Sequence, residues 1–92
     1  MVSTAAFSIR VKGRVQGVWF RASTRDHAAK LGLCGWVCNE PDGHVLIHAE
    51  GDREALQKLI DWCHHGPPLA IVATVHHEEV QPEGFTHFVV RR

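Results

Sequence analysis

Phe7-Ser8-Ile9-Arg10-Val11-Lys12-Gly13-Arg14-Val15-Gln16-Gly17-Val18-Trp19-Phe20-Arg21 changes its backbone period partway along. Phe7 to Lys12 alternates apolar and polar residues, the pattern of a half-buried strand. Gly13 and Gly17 then permit backbone angles closed to other residues, which predicts a tight loop. Beyond Phe20, the residues Thr24, Ala28 and Leu31 recur at helical spacing. Gly32 followed by Leu33 supplies a left-handed stop with an apolar contact, so a helix is expected over about Arg21 to Leu31.

The rest of the chain repeats this alternation of strand and helix. Gly35 to Asn39 and His44 to Ala49 read as two strands joined by Glu40-Pro41-Asp42-Gly43, whose Pro-Asp-Gly is turn chemistry. Asp52 stands where a helix N-cap belongs, and Leu56, Leu59, Ile60 and Cys63 form one apolar face before His64-His65-Gly66-Pro67-Pro68 ends the pattern. Ala70 to Val75 is short and β-branched, and Phe85 to Val90 is a last apolar stretch after the break at Pro82-Glu83-Gly84. The order βαββαβ plus a short C-terminal strand predicts an α/β (α+β), ferredoxin-like sandwich: an antiparallel sheet with both helices on one face.

With 92 residues there is room for one domain, 1–92, and for a modest core without disulfide staples. Hydrophobic residues at 45% and charged residues at 22% match globular usage and exclude disorder and collagen-like repeats. The apolar stretches fall short of the roughly 20 residues that span a bilayer, and Met1 to Ala6 lacks the basic start of an export signal, so no membrane association is expected. Cys34, Cys38 and Cys63 cannot all pair within one chain and have no zinc-ribbon spacing. Reduced thiols in a cytoplasmic protein are the economical reading.

Net charge is zero, but residues 1–25 hold Arg10, Lys12, Arg14, Arg21 and Arg25 with no acid, and the remaining residues carry five bases against ten acids. An anion is therefore expected to prefer the N-terminal quarter. The loop before the first helix is suited to that task, because a helix start leaves N–H groups unpaired at the positive end of its dipole. The amides of Gln16, Gly17, Val18, Trp19, Phe20 and Arg21 can converge as a nest, and Arg21 can close a fork on two oxygens. Phosphate fits best, although a carboxylate or sulfate would satisfy the same amides. Neither a nucleotide P-loop signature nor GxGxxG is present, so ATP and NAD are not expected. No Ser-His-Asp set or acidic two-metal pair stands out.

Gly13 to Arg21, reading GRVQGVWFR, resembles the phosphate-loop signature of the acylphosphatases, and Gly35 to Gly43, reading GWVCNEPDG, is similar to that family's second block. The Gly-Pro-Pro at 66–68 and the chain length also match a stand-alone member. The resemblance implies hydrolysis of a carboxyl-phosphate mixed anhydride to a carboxylate and inorganic phosphate, with no metal and no cofactor. It implies that Arg21 and the loop amides bind the phosphoryl group and that Asn39 orients the attacking water. It also implies a monomer whose partners are small-molecule acyl phosphates and inorganic phosphate. The alternative is a non-catalytic acyl-phosphate-binding module of a larger carbamoyl-transfer system.

The remaining signals have plainer readings. The eight histidines include the adjacent pairs His64-His65 and His76-His77, whose side chains point apart, so they are expected as solvated surface residues and not as a metal site. Trp36 and Trp62 are expected as core or partly buried packing, with Trp19 walling the pocket. Nucleic acid is not an expected partner, because the strand positions Arg10, Lys12, His44, Leu46 and His48 offer no aromatic platform for bases. A metal-chaperone role would call for a CxxC in the first loop, which has no cysteine.

Overall fold

The computed structural model describes residues 4–91; the reading of Met1 to Ser3 as free of an export signal lies outside the described residues. The elements run β1 (Thr4–Arg14), α1 (Phe20–Lys30), β2 (Cys34–Asn39), β3 (Val45–Asp52), α2 (Arg53–Cys63), β4 (Ile71–Val80) and β5 (Phe88–Arg91). They build one five-stranded sheet of order β4-β1-β3-β2-β5. The β1–β3, β1–β4 and β2–β3 pairs are antiparallel, as the ferredoxin-like reading requires, and β5 adds to β2 in parallel.

Alternation in β1 and β3 decides what the helices cover. Ile9 and Val11 of β1 and Val45, Ile47 and Ala49 of β3 are fully buried. Paired across the strands, they form one apolar face, against which Phe20 and Ala28 of α1 and Leu56, Leu59, Ile60 and Cys63 of α2 complete the core. The expected stop of α1 is present, with the Leu33 N–H donating to the Ala28 carbonyl at 2.9 Å and Leu33 itself buried. Asp52 does precede α2 in extended conformation, but its side chain makes no capping hydrogen bond.

Three expectations are corrected. The fourth strand continues through His76, His77, Glu78 and Glu79 to Val80, beyond the apolar stretch ending at Val75, because its backbone stays paired with β1 as far as Ala6. Exposed charged and imidazole side chains suit an edge strand, where they discourage pairing with other chains. The last strand begins at Phe88 and not at Phe85. The segment before it is held differently: the Glu50 carboxylate accepts hydrogen bonds from the amides of Glu83, Gly84 (3.1 Å) and Phe85 (3.3 Å).

That anchor also overturns the solvated reading of His48, which is 4% exposed. Its Nε2 lies 2.7 Å from Glu50 Oε2, its ring stacks on Trp36, and Phe85 covers it at a tilt. Burial raises the Glu50 carboxyl pKa, but the His48 bond and the three amides outweigh this and hold it below its ordinary value. Trp36 and Trp62 are half-buried, as expected, with Trp62 packed against Phe20 and stacked on His27. All three cysteines are free thiols, and burial pushes the Cys63 thiol up to about 12.

Candidate active site

The loop between β1 and α1 begins with a break in the sheet. The β1–β4 register shifts between Lys12 and Gly13, where φ is +134°. A Cβ on Gly13 would strike the Ile71 carbonyl oxygen and come within 2.7 Å of the Ala73 amide nitrogen, so a side chain here would force the two backbones apart. Val15 then plugs into the core at 1% exposure. Gln16 ties the loop to the β2–β3 turn, its Nε2 donating to the carbonyls of Glu40 at 2.8 Å and His44 at 2.9 Å.

Gly17 has φ +75° with no atom within 4 Å of the Cβ position, so conformation and not crowding calls for glycine there. Trp19 follows at φ +67°, the one left-handed residue other than glycine among those described. It occupies the N-cap position of α1, and its carbonyl accepts the Ser23 N–H at 2.9 Å. The first turn of α1 contains no acidic side chain. Among the described residues, no carbonyl or side-chain oxygen accepts from the N–H groups of Gln16 to Arg21. The loop therefore keeps its donors and its positive dipole end uncompensated by the protein.

A cavity of about 610 Å³ opens at this point. Gly17, Trp19, Phe20 and Arg21 line it from the loop and first helical turn, and Asn39 lines it from the end of β2. The structure thus brings together the two side chains singled out from the sequence. Gln16 and Val18 are not among the lining residues; the observed contact of Gln16 is its side-chain clamp on the turn after Asn39. The Asn39 Oδ1 is buried without a hydrogen-bond partner. An orphaned buried acceptor costs about 1–3 kcal/mol; this oxygen is shut off from solvent, so it is the Asn39 residue, and not its Oδ1, that the structure places on the cavity wall.

Four further residues line the cavity that the sequence reading did not name as site residues: Arg25, Val15, Ala22 and Val90. Arg25 had a usable signal, since it follows Arg21 by one helical turn and so shares its face. Val90 had none, because the parallel pairing of Val37 with Val90 is what brings β5 to this end of β2.

The acid nearest to Asn39 in sequence is already engaged. Glu40 takes a forked interaction from Arg10, at 2.9 Å to Nε and 3.5 Å to Nη2, and this contact raises the Arg10 pKa. Its negative charge is thus partly compensated beside a cavity that carries Arg21 and Arg25. The Cys38 thiol sits between these fields: burial and Glu40 raise its pKa, and Arg91 and Arg21 pull it down. One grouping among the described residues has the donor set for a cation, Glu40, Asp42 and His44, with ligand atoms within 4.8 Å of one another. Of these, Glu40 is engaged by Arg10, and Asp42 Oδ2 lies 3.1 Å from His44 Nδ1.

The sequence and the fold both have known relatives. The chain matches the Acylphosphatase family model over residues 7–90. It is 48% identical to an acylphosphatase of Gloeobacter violaceus, with 100% of this chain and 99% of the relative aligned. Its fold superposes on an acylphosphatase from Coxiella burnetii with a TM-score of 0.93 at 41% identity, covering 96% of this chain and 93% of that one. It also matches T. kodakarensis HypF with a TM-score of 0.84 at 31% identity, over 96% of this chain but 12% of that much longer one. The match spans both the glycine-bracketed loop with Arg21 and the strand that ends in Asn39, and on that footing the chain belongs to the acylphosphatase family.

Proposed function

We propose that this chain hydrolyses acyl phosphates to a carboxylate and inorganic phosphate, as a single-domain, monomeric cytoplasmic enzyme needing neither metal nor organic cofactor. The observation that carries the proposal is that Arg21 and Asn39 line one cavity together with Gly17, Trp19 and Phe20, loop residues whose amides have no partner among the described residues. In this reading the amides of Gln16 to Arg21 and the Arg21 guanidinium hold the phosphoryl oxygens. Asn39 orients one water through its side-chain amide and directs the water oxygen at phosphorus.

The chemistry asks for little more. As the water oxygen bonds to phosphorus, the bond from phosphorus to the acyl oxygen breaks. Phosphoryl transfer depends mainly on positioning and on stabilising charge at the equatorial oxygens, which amide dipoles and a guanidinium supply in fixed geometry. The leaving carboxylate is a weak base, with a conjugate acid near pKa ~4, so no general acid is required. Asn39 has no useful proton affinity near neutral pH; the water's proton passes to an oxygen of the substrate phosphate.

The decisive measurement is turnover of acetyl phosphate by the purified chain, with and without EDTA. Hydrolysis insensitive to the chelator and inhibited competitively by inorganic phosphate is the expected result. The likeness to T. kodakarensis HypF, of which this fold is a small part, favours a second reading: a module that binds an acyl phosphate for a larger carbamoyl-transfer system. Phosphate binding, seen as a raised melting temperature, with no turnover would decide for that reading and against the first.

A further inference from the structure

We infer that Trp19 selects the acyl half of the substrate, so that the site prefers acyl phosphates bearing an aromatic acyl group over acetyl phosphate; this rests on the proposed seating of the phosphoryl group in the same cavity. The three tryptophans are treated differently by the fold. Trp36 stacks on His48 and carries the Arg91 guanidinium 4.7 Å from its ring centroid. Trp62 stacks on His27 and packs against Phe20. Trp19 lines the cavity, is 77% exposed, and has no aromatic or cation–π partner among the described residues.

Its backbone adds a second, independent observation. A bulky residue held in left-handed conformation costs roughly 1–2 kcal/mol, and such outliers concentrate at ligand sites. At this exposure little of the indole is packed against the fold to keep it there. The cavity also offers more room than a phosphoryl group needs: about 610 Å³, within the roughly 300–1,000 Å³ range of pockets that hold drug-sized ligands. Arg21 and Asn39 are polar residues of its wall, and half-buried Val90 adds apolar surface to that of Trp19. An acyl group attached to a phosphoryl group at Arg21 has one exposed aromatic face within this cavity on which to stack, and a methyl group would use little of it.

The test compares benzoyl phosphate with acetyl phosphate in the wild type, Trp19→Phe and Trp19→Asn. Asparagine removes the ring and tolerates left-handed backbone better than most residues. The readout is the ratio of kcat/KM for the two substrates, which cancels any loss at the phosphoryl end common to both. Removing the ring should lower that ratio about five- to tenfold, the scale of one aromatic contact, chiefly through the KM for benzoyl phosphate. Trp19→Phe should keep most of it. Calorimetric binding of benzylphosphonate against methylphosphonate gives the same comparison without turnover. Equal ratios in wild type and Trp19→Asn, or equal affinity of the wild type for the two phosphonates, overturns the role of Trp19. A wild type that hydrolyses neither substrate but binds benzylphosphonate preferentially refutes the catalytic reading alone.

Discussion

Two places in this molecule assemble backbone amides for a negative charge, and they differ in where the charge comes from. On the sheet face away from the helices, the amides of Glu83, Gly84 and Phe85 point at Glu50, a carboxylate the chain itself supplies, with His48 completing the set at 2.7 Å. At the head of α1, the amides of Gln16 to Arg21 meet no oxygen of the chain, and a cavity with Arg21 and Asn39 lies beside them. The first arrangement is closed and converts its electrostatic energy into stability. The second is left open, so the same kind of energy remains available for binding a ligand and its transition state.

Substitutions at the two places should therefore separate activity from stability. The largest effect is expected for Arg21→Gln, which removes a fixed positive charge from the open site. Turnover of acetyl phosphate should fall by about 10³ or more, by comparison with arginines that act in phosphoryl transfer, and inhibition by phosphate should weaken in parallel. Retained phosphate inhibition would assign the anion to another part of the protein. Asn39→Ala comes next, with kcat lower by about 10², the scale of one lost oriented polar group, and phosphate binding retained. Full turnover in that variant would remove Asn39 from the reaction.

The closed site should answer in the opposite currency, with stability lost and phosphate binding kept. Glu50→Gln retains shape but loses the charge that strengthens four hydrogen bonds; a charged bond contributes about 1.5–3 kcal/mol where a neutral one contributes about 0.5–1.5. Denaturant unfolding should show a loss of about 2 kcal/mol, with faster hydrogen exchange at Glu83, Gly84 and Phe85. The pH dependence follows from the lowered Glu50 pKa. Its contribution is fully present above the unfolded value near pH ~4.3 and is lost as pH falls through the lower folded value. The stability gap between the wild type and Glu50→Gln should therefore be full near neutral pH and narrow as pH falls below about 4. A gap that does not change with pH would mean that the Glu50 charge is not its source.

How legible each region was follows from the same contrast. The loop half of the open site is written locally: alternation in Phe7 to Lys12, glycines at 13 and 17, and an arginine in the first helical turn are all read from one short stretch, whereas the role of Asn39, at the end of β2, came only from the family resemblance. The closed site joins Glu50 in a strand to a Pro-Glu-Gly segment more than thirty residues away, and nothing in the local pattern around either announces the other. That is why His48 read as a surface residue and Phe85 as the start of a strand. The edge strand was read short for a related reason: His76 to Glu79 break the apolar pattern, while the backbone pairing with β1 does not depend on side-chain polarity. Arg25 was within reach, four residues from Arg21 on the same helix, but the parallel pairing that brings in Val90 is a property of the assembled sheet.

The smallest expected effect belongs to the residue that connects the open site to its neighbour. Gln16 was named from the sequence for its amide, yet its side chain crosses to the turn after Asn39 and bonds two carbonyls, those of Glu40 and His44. The turn is also closed by its own backbone, through the Glu40 N–H to the His44 carbonyl at 2.8 Å and the Gly43 N–H to the Glu40 carbonyl at 3.0 Å. Gln16→Ala therefore leaves the turn intact and removes only its tether to the phosphate loop. A loss of about 1–2 kcal/mol in stability is expected for two neutral hydrogen bonds. The more informative reading is kinetic, because the loop and Asn39 would no longer be held at a fixed separation. A few-fold fall in kcat with little change in phosphate inhibition would identify Gln16 as a positioning residue that acts through Asn39. Gln16→Glu extends the test: it keeps the length of the side chain but presents an acceptor to two acceptors, so it should lower kcat further than alanine does. If both variants match the wild type in kcat while losing stability, the clamp only stabilises the fold, and the loop amides and Asn39 keep their spacing without it.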